Sequence, residues 1–184
     1  MRKFSALAGL LLLAYPLAVY AGISHGGVGP VALLLGVLFL LRMTSSKVLG
    51  NSPLRHVATT TGIIGLLLVT LSYVFKQHDW FLYYPVAVNA TMFVVFAASL
   101  FQPMSIIEQV ARLQEPDLPA SGVKYTRNVT KVWCLFFLVN GAIAWLTCLM
   151  SLEIWTLYNG LLSYLAAGAL FGIEFIVRKK VRAS

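Results

Sequence analysis

Three histidines, two cysteines and six carboxylates are the side chains of this protein best suited to proton transfer, metal ligation or nucleophilic attack. Their spacing argues against most of that chemistry. His25, His56 and His78 fall in three separate polar breaks between apolar runs, and no His/Cys/Asp/Glu set has metal-ligand spacing. Cys134 and Cys148 share one apolar run. On a helix they stand four turns apart, roughly 21 Å, too far to bridge, and they read as small buried apolar residues. There is no phosphate-binding loop, dinucleotide-binding glycine pattern or nucleophile elbow. The nearest approaches to an acid–base site are His25 or His78 with Asp79 and Glu153, and His56 with Glu108. No catalytic, cofactor-binding or metal-binding residue is assigned, and the chain does not read as an enzyme.

The elements that must position these residues are apolar. Hydrophobic residues make up 59% of the 184 and charged residues only 11%, with mean hydropathy +0.83. A soluble domain carries about a quarter charged residues, so the composition predicts a single all-α transmembrane domain, 1–184. Six spans are predicted, at about 4–21, 26–42, 57–75, 81–101, 129–152 and 154–177. The second is short and contains Pro30. If all six cross, every one of the 14 lysines and arginines except Lys76 falls on one side. Positive residues stay on the cytoplasmic side. The expectation is therefore a multi-pass membrane protein with both termini in the cytoplasm. The net charge of +8 belongs to these loops; no nucleic-acid-reading motif accompanies it. The N-terminus also fits a secretory signal cleaved after Ala21, although a retained first span is expected.

The longest polar stretch lies between spans four and five, in "QPMSIIEQVARLQEPDLPASG". Ser105 and Glu108 form a capping box, and Pro116 and Pro119 stop the helix that it starts. Met104, Ile107, Val110 and Ala111 share one face, with Ile106 and Leu113 at its edges and Glu108, Gln109 and Arg112 elsewhere. A short amphipathic helix lying in the membrane interface is expected. Arg112, Lys124, Arg127 and Lys131 are candidate contacts for lipid head groups or an acidic partner. Within the spans, Asn89, Thr91, Asn140, Asn159, Glu174 and Arg178 are candidate interhelical polar contacts. Asn140 would bond Thr91 or Asn159, and Glu174 would pair with Arg178 one turn on.

From Gln102 to Arg178 the chain resembles the intracellular septation protein A family of small bacterial inner-membrane proteins. The likeness lies in the proline-led amphipathic segment, Leu118-Pro119, "RNVTKVWCLFFLVNGAIA" and a final span ending in cations. Trp133, Phe136, Phe137 and Asn140 match best, with Thr130 and Lys131 before them. As a whole the chain is similar to a related set encoded in aryl-polyene and xanthomonadin-type pigment clusters of Gram-negative bacteria. That resemblance implies work beside acyl carrier proteins, ketosynthases and acyltransferases that build a membrane-bound polyene lipid. It brings no site residues and no cofactor.

The expected function is a non-catalytic inner-membrane anchor or organiser for cytoplasmic partners in envelope or polyene-lipid biosynthesis. Its partners would be membrane lipids and an acidic acyl carrier protein or biosynthetic enzymes, with self-association open. One alternative is a small transporter or flippase for a lipid-like product. It would route its cargo along Asn89, Thr91, Asn140, Asn159 and Ser163. A second is a membrane-embedded lipid-modifying enzyme built on the histidine–carboxylate pairs above.

Overall fold

The computed structural model describes residues 15–25, 33, 36, 37, 40, 53–75 and 78–183, and every regular element among them is helical. Helix α1 is Tyr15–His25 and α2 is Pro53–Phe75. Both carry proline in the first turn, where the missing N–H breaks no helical bond. A short 3₁₀ segment, His78–Tyr83, leads into α3, Tyr84–Ser99. Next come α4, Ile106–Arg112, and the long α5, Ala120–Thr147. The last helix opens as α6, Leu152–Leu157, widens through a π turn at Tyr158–Leu162, and continues as α7, Ser163–Ala183.

Several expected boundaries shift. The predicted spans 4–21 and 26–42 lie largely outside the described residues. Where they are described, α1 runs through the expected break at Gly22 as far as His25. The fourth run splits ahead of Pro85, which fits the first turn of α3. The fifth starts at Ala120 rather than Val129, because the Pro119 N-cap starts the helix before the apolar run begins.

The most extensive helix–helix interface joins α3 to α5. The buried stripe of α5 is Thr126, Thr130, Cys134, Phe137, Asn140, Ala144 and Thr147, a three–four spacing that keeps one face inward. That inner face is rich in small and polar side chains. The outer face exposes Val132, Leu135, Leu138, Trp145 and Leu146. A helix packed on a water-soluble core shows the reverse pattern. Beyond the π turn, Phe171, Ile173, Phe175 and Ile176 are likewise exposed. Two helices, Ala120–Thr147 and Leu152–Lys179, are long and apolar enough to cross a membrane, and Thr59–Leu71 and Tyr84–Ser99 are shorter apolar helices.

Two apolar clusters hold the described body together. One gathers Val19, Leu68, Tyr84 and Trp155 from α1, α2, α3 and α6. The other gathers Phe96, Ile106, Cys134 and Phe137. In the second, Phe137 meets Phe96 edge-on at 5.1 Å between ring centroids, and Trp133 and Phe136 pack beside it. Gly141 allows the close approach of α3 to α5: a Cβ there would stand 3.0 Å from the Asn89 Cβ.

Helix α4 turns one side to α5 and leaves the other open. Ser105 caps it as predicted, accepting from the Glu108 N–H at 3.4 Å. Its buried residues are Ile106, Glu108 and Ala111, while Met104 and Val110 of the expected apolar face are exposed, with Leu113 beside them. Glu108 can lie inward because Arg112 reaches it through Nε and Nη2, each 3.0 Å from Oε1. Packing against α5 therefore sets the rotation of α4, and the pair removes the cost of an unpaired buried charge.

Candidate functional site

The first candidate site is a ladder of amides and hydroxyls inside the helix body. Asn140 donates from Nδ2 to Asn89 Oδ1 at 3.0 Å, and the Tyr158 hydroxyl donates to Asn140 Oδ1 at 2.8 Å. Asn89 in turn donates to the Pro85 carbonyl on its own helix at 2.9 Å. Asn140 and Asn89 are both buried. A second rung lies nearer the end of α5, where Asn159 donates to Thr147 Oγ1 at 3.0 Å and to the Trp155 carbonyl at 2.9 Å. At the helix end the Leu82 carbonyl accepts from Trp155 Nε1 at 3.0 Å and from Cys148 Sγ at 3.2 Å.

The π turn explains how adjacent residues serve both rungs. The Ser163 N–H bonds the Tyr158 carbonyl five residues back, so the helix widens there. Tyr158 then meets Asn140 while Asn159 meets Thr147, two turns further along α5. Interhelical bonds of this kind contribute about 0.6–2 kcal/mol each. Tyr158, Asn140 and Asn89 donate in series down to the Pro85 carbonyl, so the ladder fixes the positions of three helices.

The expected partners were only partly those found. Asn140 bonds Asn89 and Tyr158, not Thr91 or Asn159. Thr91 bonds the Ala87 carbonyl of its own helix at 2.8 Å. Glu174 does contact another helix: the Tyr125 hydroxyl donates to its backbone carbonyl at 3.2 Å and its carboxylate at 3.4 Å. Among the described residues no salt bridge joins Glu174 to Arg178; the Glu174 carboxylate is engaged by Tyr125 instead. Tyr158 was missed by sequence reasoning. Its position beside Asn159 in an apolar run was the signal available.

The second candidate site is the cationic end of α5. Lys124, Arg127 and Lys131 fall on one side of the helix by their spacing, but their environments differ. Arg127 Nη2 donates to the Leu100 carbonyl at the C-terminal end of α3, where the helix dipole favours a cation. Arg112 is held by Glu108 and donates to the Pro116 carbonyl at 2.7 Å. Lys124 and Lys131 are exposed, and neither takes part in a salt bridge among the described residues. Lys179 lies over the Phe175 ring, 4.7 Å from its centre. Of the four candidate contacts, the two lysines therefore present their charge outward, while the two arginines hold the fold.

No group of three His, Cys, Asp or Glu side chains able to hold a metal occurs among the described residues. The side chains of His25, His56 and His78 lie outside the described ones. No family model, curated protein or solved structure matches the chain.

Proposed function

We propose that the protein is a six-span bacterial inner-membrane anchor. In this reading both termini are cytoplasmic, and its cytoplasmic end collects an acidic partner of an envelope- or polyene-lipid assembly line. The observation that carries this reading is the basic stem of α5. A helix of 28 residues is about 42 Å long at about 1.5 Å per residue, against a hydrocarbon core of about 30 Å. About 12 Å, the first two turns, therefore stands clear of the bilayer with Lys124 outward. Lys131 lies about one turn past the boundary, where its side chain can snorkel to the interface. A rigid helix holds these charges at a fixed height over the membrane, where they steer an acidic surface toward it. The inverted polarity of α5 and the exposed apolar flank of α7 support the membrane placement. The one-sided distribution of cations supports the orientation. Val19 in the core of one cluster makes α1 part of the body and favours its retention. The class of partner, an acyl carrier protein and its enzymes, rests on the family resemblance.

A transport path would need polar side chains facing an opening. Asn89, Asn140 and Asn159 instead bond one another's helices, which favours the anchor. The test is co-purification of an acidic acyl carrier protein with the full chain under rising salt. Retention at low salt, loss at high salt, and loss with Lys124→Glu/Lys131→Glu are expected. Equal recovery of the carrier protein with the double variant would refute the docking role.

A further inference from the structure

The connection from α3 to α5, which takes no part in the ladder, has much of its backbone tied within the protein. The N–H groups of Leu100, Phe101 and Gln102 bond carbonyls three residues back. The Ile106 N–H donates to Ser99 Oγ at 3.0 Å, and the Gln109 N–H to the Ser105 carbonyl at 2.9 Å. Three long polar side chains also turn onto this stretch. Arg127 donates to the Leu100 carbonyl, Gln109 Nε2 to the Met104 carbonyl at 3.1 Å, and Arg112 to the Pro116 carbonyl at 2.7 Å. A loop standing in water needs no such partners, because water satisfies its backbone. A loop pressed against hydrocarbon does need them.

The outer surface of the connection is apolar. Phe101 is 89% exposed and Leu113 84%, above every other large apolar side chain among the described residues. Met104 and Val110, between them in the chain, are exposed as well. The inner surface gives this ridge a depth. Phe96 before the turn and Ile106 after it both pack with Cys134 and Phe137 of α5. With α5 crossing the bilayer, Cys134 lies roughly 9 Å inside the boundary at which the basic stem emerges. Helix α4 starts near this level, and the chain then leaves it for Ala120 at the outer end of the stem. The ridge therefore falls within the outermost hydrocarbon, the layer of about 5–10 Å in which apolar faces of interfacial helices bury.

We propose that Phe101, Met104, Val110 and Leu113 form a membrane-inserted ridge that rests among acyl chains just below the head groups at the basic end of the protein. Its depth rests on the reading of α5 as a crossing helix.

The test places single nitroxide labels in the full chain, freed of Cys134 and Cys148 and reconstituted into phosphatidylcholine–phosphatidylglycerol liposomes. Phe101→Cys, Met104→Cys, Val110→Cys and Leu113→Cys report the ridge. Leu138→Cys, on the outer face of α5, and Lys124→Cys, on the stem, are references. Power saturation compares collisions with oxygen, which concentrates in hydrocarbon, and with a water-soluble nickel chelate. The ridge labels should show an oxygen-to-nickel ratio several-fold above that at 124 and below that at 138, which places them about 5–10 Å deep. Ridge labels matching position 124 would overturn the proposal, because the surface would then face water. Ridge labels shielded from both reagents would overturn it too, because a second copy or a partner protein would then cover them. In both of those results position 138 still favours oxygen. A nickel-rich signal at 138 would instead remove the crossing of α5, and the ridge's depth with it.

Discussion

At the scale of single residues, the account turns on Asn140 and its two partners. If the ladder is structural, Asn89→Ala and Asn140→Ala must be coupled. A double-mutant cycle on unfolding in mixed micelles should give a coupling of about 0.6–2 kcal/mol. Additive effects would mean that the 3.0 Å bond contributes nothing. The two buried indoles make a second contrast. Trp155 Nε1 donates to the Leu82 carbonyl, whereas Trp80 Nε1 is buried with no hydrogen-bond partner among the described residues. Trp155→Phe should therefore destabilise by about 1–3 kcal/mol and Trp80→Phe by less. The ranking can be read from thermal unfolding of the two variants in detergent. Asn140 was legible in the sequence because an amide in an apolar run needs a partner. Its partner was not, because the π turn decides which side chain arrives opposite it, and local composition does not encode that turn.

At the scale of elements, hydropathy and helix boundaries report different things. The apolar run beginning at Val129 marks where α5 becomes greasy, while Pro119 marks where it becomes helical. Reading the first as the second shortened the predicted helix and turned its basic stem into a loop. The start of α4 was legible, since Ser105 and Glu108 have capping-box spacing. The burial of Glu108 was not, because it depends on the Arg112 side chain following it one turn on. Ser105→Ala should cost about 1 kcal/mol locally. Limited trypsin digestion should then cut after Arg112 several-fold faster, with little change in the rate after Lys131. Arg127→Ala should loosen the joint between α3 and α5 by freeing the Leu100 carbonyl. Backbone hydrogen exchange at Ser99–Gln102 should rise, while exchange in the Asn140 region stays low.

For the whole molecule, polarity is the organising fact. The interior of α5 holds threonines and an asparagine, and its exterior holds leucines and a tryptophan, which is stable where the surroundings are hydrocarbon. The all-helical class was legible from composition and apolar run lengths. Which helices pack together was not, because contacts between spans depend on small residues such as Gly141 and on single amides, and these leave no periodic mark. The one-sided cations constrain the weave: with six crossings, the start of α2 holding Arg55 and the stem holding Lys124 share a face, and Lys76 lies opposite. The most direct test is thiol labelling in cells, with single cysteines at Arg55, Lys76 and Lys124 in a chain lacking Cys134 and Cys148. The account predicts that an impermeant maleimide labels position 76 in cells with a permeabilised outer membrane, and labels 55 and 124 only after the inner membrane is opened. Labelling of 55 and 124 from opposite faces would contradict it.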